Sequence, residues 1–255
     1  MKKQLLLLLA FFASFSTSFA QSDLFGADKL PPRKGVIFNV NGNLDFPGAD
    51  MAKRFGTSYR VGGAVLYKTT SNWMFGPKMD FIIGNDIKED SLMYNIRNKD
   101  GFFYNQNGEV MGVGIFQRGY MVGLQAGKIF NLSKRNSESG VLVMTGAGFM
   151  QHKINIFDKD KSISQLRGDY KKGYDRLTNG WYLEQYIGYN YFDPNGMVNF
   201  HIGLNVTAGF TQGRRDYLYD VMRTDDKSRL DILFGIRGGW YIPVFKRKSE
   251  EMFFE

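Results

Sequence analysis

From Met197 to Gln212 the chain alternates: Phe200, Ile202, Leu204, Val206, Ala208 and Phe210 share one face, and Asn199, His201, Gly203, Asn205, Thr207 and Gly209 share the other. Successive side chains of a strand point to opposite faces, so this period of two predicts a strand with one apolar face and one polar or glycine face. The pattern recurs in Gly35–Asn43, where Val36, Phe38 and Val40 oppose Ile37, Asn39, Asn41 and Asn43, and in Tyr59–Lys68, where Tyr59, Val61, Val65 and Tyr67 oppose Arg60, Gly62, Ala64 and Lys68. It returns in Trp73–Gly84, Tyr120–Phe130, Trp181–Phe192 and Arg229–Phe245, and in Gly140–His152, where Leu142 and Met144 blur the second face. Eight strands are predicted.

The connections between them are sorted by length. Thr69–Asn72, Asn131–Glu138 and Asp193–Gly196 are short, whereas Leu44–Ser58, Asn85 to about Ile115, Lys153–Gly180 and Gly213 to about Ser228 are long. An up-and-down barrel sends alternate connections to opposite rims, and outer-membrane barrels have short turns on the periplasmic rim and long loops on the outer one. The prediction is an all-β protein, an eight-stranded antiparallel up-and-down transmembrane β-barrel. A secreted lipocalin-like or sandwich fold is the alternative, and it gives no reason for the loops to sort. Tyr59, Tyr67, Trp73, Trp181, Tyr189, Tyr191 and Trp240 fall toward strand ends, where membrane interfaces favour amphipathic rings.

Composition sharpens this. The 255 residues include 30 glycines, 23 Phe, 14 Tyr and 3 Trp, a surplus suited to short, closely packed strands, and no cysteine, which excludes disulfides, thiolate metal sites and cysteine nucleophiles. Lys2 and Lys3, the apolar Leu5–Phe12 and the small-residue end Ser18-Phe19-Ala20 read as a secretory signal peptide cleaved before Gln21. The expected division is a signal peptide at 1–20, a periplasmic segment at 21–33, the barrel at 34–245 and a periplasmic tail at 246–255. Loss of Lys2 and Lys3 takes the formal charge from +8 to +6, and the remaining charges are mixed in sign, so no nucleic-acid partner is expected.

An eight-stranded lumen is narrow enough for side chains to fill. The inward face carries Arg60, Lys68, Lys78, Asp80, Gln125, Glu184, His201, Asn205, Asp231 and Arg237, and buried charges must pair. A plug of ion pairs among Arg60, Lys78, Arg237, Asp80, Glu184 and Asp231 is therefore expected. His152 and His201 should lie far apart, which argues against a metal site, and no cofactor is expected. His152, with Ser162, Ser164 or Asp158, could mimic the rim group of a lipid-modifying enzyme; the plainer reading is a solvated polar residue. Gly112-Val113-Gly114 and Gly146-Ala147-Gly148 lack the spacing of phosphate loops. The loops 85–110 and 153–180 mix aromatic residues with both signs of charge, suited to a protein partner or to lipopolysaccharide headgroups, or else simply solvated or extending the strands past the membrane. In the tail, Met252, Phe253 and Phe254 could dock on a periplasmic partner.

The signal peptide, eight strands, sorted loops and polar lumen together resemble a small outer-membrane barrel of the OmpA-like or OmpX-like size class. Phe19-Ala20-Gln21, the Lys/Asn/Tyr/Phe-rich composition and the ending Phe253-Phe254-Glu255 are similar to such proteins from Bacteroidota. The resemblance implies a cell outer-membrane location, contact with outer-membrane lipid and lipopolysaccharide, and a non-enzymatic role as a structural or accessory subunit of a secretion or barrel-assembly complex. A lipid A-modifying enzyme and a narrow channel are the alternatives.

Overall fold

The computed structural model describes residues 32–89, 92–105, 107–132, 136–158, 163–193 and 198–245. The predicted signal peptide, the tail residues Met252, Phe253 and Phe254 expected to dock on a partner, and Ser162 lie outside these residues.

Eight long strands form a closed antiparallel barrel: β1 (Gly35–Gly48), β2 (Ser58–Lys68), β3 (Trp73–Gly84), β4 (Val113–Asn131), β5 (Gly140–Asp158), β6 (Thr178–Phe192), β7 (Asn199–Gly213) and β8 (Ser228–Phe245). Each strand pairs with its neighbours in sequence, and β1 closes onto β8 from Gly35↔Phe245 to Gly48↔Ile232. Closure leaves no unpaired sheet edge, the condition for crossing a bilayer with strands. No helix among the described residues is long and apolar enough to cross a membrane.

The two faces are inverted relative to a soluble barrel. Trp181 is 72% exposed and Leu124 68%, while Arg60 and Asp80 on the inner face have no exposure at all. From Trp181 to Tyr191 along β6 the strand advances about 33 Å at roughly 3.3 Å per residue. At a tilt of about 40° this is a height of about 25 Å, the apolar band of an outer-membrane barrel. A polar pair sits within that band. The Thr145 hydroxyl donates to Gln185 Oε1 at 2.7 Å and the Gln185 amide to the Tyr186 carbonyl at 3.3 Å, so the groups satisfy each other. The architecture is an eight-stranded up-and-down transmembrane β-barrel.

Three strands run further than their alternation first suggests. β1 continues through Asp45 to Gly48, although Pro47 and Gly48 look like a turn. Its pairing with β2 ends at Asp45↔Ser58, so Pro47 has no ladder donor to supply on that side. β4 and β5 stay paired up to Val113↔Asp158, beyond the barrel wall, because the inward-facing Ile154 and Ile156 are buried there by the long loops.

Candidate functional site

The lumen is filled in layers. At the short-turn end Ile37, Leu66, Met74, Ile129, Leu142, Phe192 and Tyr241 form an apolar cluster, with Phe192 and Tyr241 stacked at 5.0 Å between centroids. His201 lies on this cluster, its ring nitrogens 3.0 Å from the Tyr186 hydroxyl and 3.2 Å from Asn39 Oδ1. Below it Glu138, carried by the short turn before β5, accepts from Lys68 Nζ at 2.8 Å and Arg33 Nε at 2.7 Å. The small inward residues leave room for these side chains. A Cβ at Gly239 would overlap His201 Nε2, and one at Gly123 would lie 2.6 Å from the Tyr182 hydroxyl.

The middle layer is ionic. Arg60 donates twice to Asp45, at 2.5 and 3.0 Å, Lys78 meets Asp80 at 2.8 Å and also Glu184, and Arg237 donates to Glu184 Oε1 at 3.1 Å. With its amide oxygen toward Arg60, Asn205 donates to Glu184 Oε1 at 2.6 Å and accepts from Arg60 Nη2 at 2.5 Å. Arg60, Lys78 and Arg237 face Asp45, Asp80 and Glu184, so the buried charges balance. Balance is required, because an unpaired buried ion costs several kcal/mol.

Of the six residues expected to form the ion-pair plug, Arg60, Lys78, Asp80, Glu184 and Arg237 are brought together. Asp231 is not among them. It sits one layer toward the long loops, accepting from Thr211 Oγ1 at 2.5 Å and lying 2.9 Å from His152 Nε2. Its place in the middle layer is taken by Asp45, which continues the inward row Asn39, Asn41, Asn43; following that alternation past Asn43 would have found it.

His152 is not a solvated rim residue. It has no exposure, its Nδ1 is 3.3 Å from Arg54 Nη2, and Phe55 meets its ring edge-on at 5.6 Å. The connection after β1 folds inward through the short helix α1 (Ala49–Ala52), so Arg54 and Phe55 cover the histidine. Asp158 does not approach it either: Asp158 Oδ2 accepts from the Ile163 backbone at 3.0 Å.

Above this layer the long loops build a cap with its own core of Met51, Phe55, Leu92, Phe103, Ile154 and Leu166 among others. Arg176 ties the loops together. Its guanidinium grips Asp220 through two contacts of 2.9 Å and Glu89 through one of 3.0 Å, joining the loops that follow β3, β5 and β7. Asp220 also accepts from the Met93 backbone at 3.2 Å. Arg176 and Met93 both adopt left-handed backbone, with φ of 50° and 58°, which costs about 1–3 kcal/mol for residues with a side chain. A second pair, Arg215 to Asp175 at 2.7 and 2.5 Å, lies beside it, and Tyr174, raised in pKa by burial, accepts from the Asn95 amide at 3.1 Å. Tyr94, Phe102, Tyr104, Tyr170 and Met222 project from the cap into solvent. Among the described residues no group of His, Cys, Asp and Glu could hold a metal ion.

No protein-family model and no curated protein matches the chain. Among solved structures, Ail, the attachment invasion locus protein of Yersinia pestis, is similar over 83% of this chain and 99% of its own, with 10% identity and a TM-score of 0.43. Neisserial surface protein A is similar over 82% of this chain and 97% of its own, with 10% identity and a TM-score of 0.42. The outer membrane protein OprG from Pseudomonas aeruginosa is similar over 85% and 100%, with 13% identity and a TM-score of 0.35.

Proposed function

We propose that the chain is a non-enzymatic outer-membrane protein, a structural or accessory subunit that holds a rigid, loop-built platform outside the membrane for an envelope complex. The observation that carries this reading is the Arg176 hub. It fastens three separate loops across an apolar core, and the backbone strain at Arg176 and Met93 is sustained there to fix one cap shape. A rigid surface with projecting aromatic side chains loses little entropy on binding and offers the residue types that anchor protein contacts. The apolar band of about 25 Å and the signal-peptide pattern read in residues 1–20 support the location.

The same packing speaks against the two alternatives. A channel needs a path through the apolar cluster, the ionic layer and the cap core. A lipid-modifying enzyme needs its histidine at the surface, and His152 is covered by Phe55. The sequence resemblance points to secretion or barrel-assembly machinery of a Bacteroidota-type envelope as the partner class.

Purification of the full chain from native membranes in mild detergent tests the proposal. A stoichiometric protein partner that is lost on Arg176→Met substitution is the expected result. Chemically altered lipid A in a deletion strain, or single-channel conductance in planar bilayers, would overturn it.

A further inference from the structure

On the β5–β8 side of the barrel the outward-facing residues change character in one step. Phe149, Trp181, Phe210 and Leu230 occupy paired positions across four strands. Two residues nearer the long loops, the corresponding row is Gln151, Asn179, Gln212 and Ser228. Such a step is the one that a boundary between hydrocarbon and headgroups asks of a barrel wall. A groove of about 610 Å³ lies across the step, with Trp181 and Phe210 in its apolar part and Asn179, Gln212 and Arg214 in its polar part. Any molecule that fills both parts must be amphiphilic.

The charges of the groove decide what kind. Asp50 and Arg229 also line it, but the charge of each is already paired. Asp50 accepts from Lys53 Nζ at 2.8 Å and from the Leu230 backbone at 3.1 Å, contacts that hold its carboxyl below the ordinary value, and Arg229 meets Asp225 at 2.5 Å. Arg214 is tethered through Nε to Asn179 Oδ1 at 2.6 Å, which leaves its terminal donors for an anion. A guanidinium held by one edge in a groove that also exposes an indole suits a phosphate attached to a lipid. Asn179 Oδ1 is taken by Arg214 and Gln212 Nε2 donates to the Asp226 carbonyl at 2.8 Å, so the Asn179 amide donors and the Gln212 amide oxygen are the groups that suit the hydroxyls of a sugar.

We propose that this groove binds a phosphorylated glycolipid of the outer leaflet, its acyl chain against Trp181 and Phe210, its phosphate on Arg214 and its sugar on Asn179 and Gln212. The proposal rests on the outer-membrane reading above and gives that barrel a fixed lipid at one side of its rim.

The test uses the full chain folded into phosphatidylcholine vesicles, with Trp73→Phe and Trp240→Phe so that Trp181 alone reports. Vesicles doped with bisphosphorylated lipid A should shift Trp181 emission saturably, and Arg214→Gln should weaken the response about tenfold. Dephosphorylated lipid A should bind as weakly as the variant does, and Arg214→Gln should then have no further effect. Arg118→Gln is the control. Arg118 faces outward on β4 but stacks on Phe116 and donates to the Gly84 carbonyl, outside the groove, so its loss should change nothing. An equal loss with Arg118→Gln, or equal binding of phosphatidylglycerol, overturns the groove in favour of a general attraction to anionic lipid. A chain that folds in the vesicles but does not distinguish the lipids overturns the groove and spares the barrel. A chain that does not insert overturns both.

Discussion

The middle of the lumen and the cap use the same chemistry, a buried arginine gripped through two contacts by an aspartate: Arg60 by Asp45, Arg176 by Asp220. They differ in what holds the pair. Arg60 and Asp45 sit on strands whose backbone is fixed by a closed ring of hydrogen bonds, so the ring brings the charges together and the charges must then balance. Arg176 sits in a loop with φ of 50°, and there the charges hold the backbone. Substitutions should therefore act globally in the lumen and locally in the cap.

Glu184→Gln carries the largest expected effect. It leaves Lys78 and Arg237 short of a carboxylate in a layer where these side chains are almost fully buried, a loss of about 3–5 kcal/mol. The expected result is a lower denaturant midpoint for the whole barrel in micelles, followed by loss of heat-modifiable gel mobility. Adding Lys78→Met to Glu184→Gln removes the stranded cation and should recover part of the loss. A midpoint unchanged by the single substitution would mean that water reaches this layer.

Arg176→Met should cost somewhat less, about 3 kcal/mol and only in the cap, because it strands the buried Asp220 carboxylate but leaves Glu89, at 21% exposure, in contact with solvent. Protease sites in the loops after β3, β5 and β7 should become accessible while the barrel midpoint stays in place. If loops and barrel fail together, the cap is part of the same cooperative unit and the contrast with the lumen disappears. His152→Phe lies between the two regions. It removes the 2.9 Å contact to Asp231 but keeps an aromatic ring under Phe55, and a loss of about 1 kcal/mol is expected, read as a small shift of the barrel midpoint.

The same difference explains what could be read in the sequence. Along a strand the side-chain period is fixed at two, so Arg60, Lys78, Glu184 and Arg237 could be placed in the lumen without knowing their partners. Asp45 obeys that period too, but it stands just before Pro47 and Gly48, whose turn character hides the strand. Asp231 also points inward as its alternation requires. Its height along the axis depends on strand tilt and stagger, which no single strand encodes, so its partner His152 could not be named. The Arg176 hub joins residues from three loops through left-handed backbone at non-glycine positions, and neither periodicity nor composition signals that geometry. The inward fold of Phe55 over His152 was hidden for the same reason.

Two lysine–aspartate pairs provide the smallest effect and the sharpest form of the contrast. Lys78–Asp80 and Lys53–Asp50 are both 2.8 Å long, yet the first pair has side-chain exposures of 0% and 0% and the second 75% and 36%. Distance alone would rank them equal. In water the attraction of the second pair is screened, each partner is well solvated when apart, and holding the long lysine side chain costs entropy, so Lys53→Ala should change stability by less than about 0.5 kcal/mol. In the lumen the side chains are buried, so Lys78→Ala should cost several times as much, because it leaves Glu184 and Asp80 facing each other with one cation fewer. Denaturant midpoints of the two variants, measured side by side in the same micelles, test this. Equal shifts would mean that the lumen solvates its charges as bulk water does, and the layered plug would then have to give way to a hydrated interior.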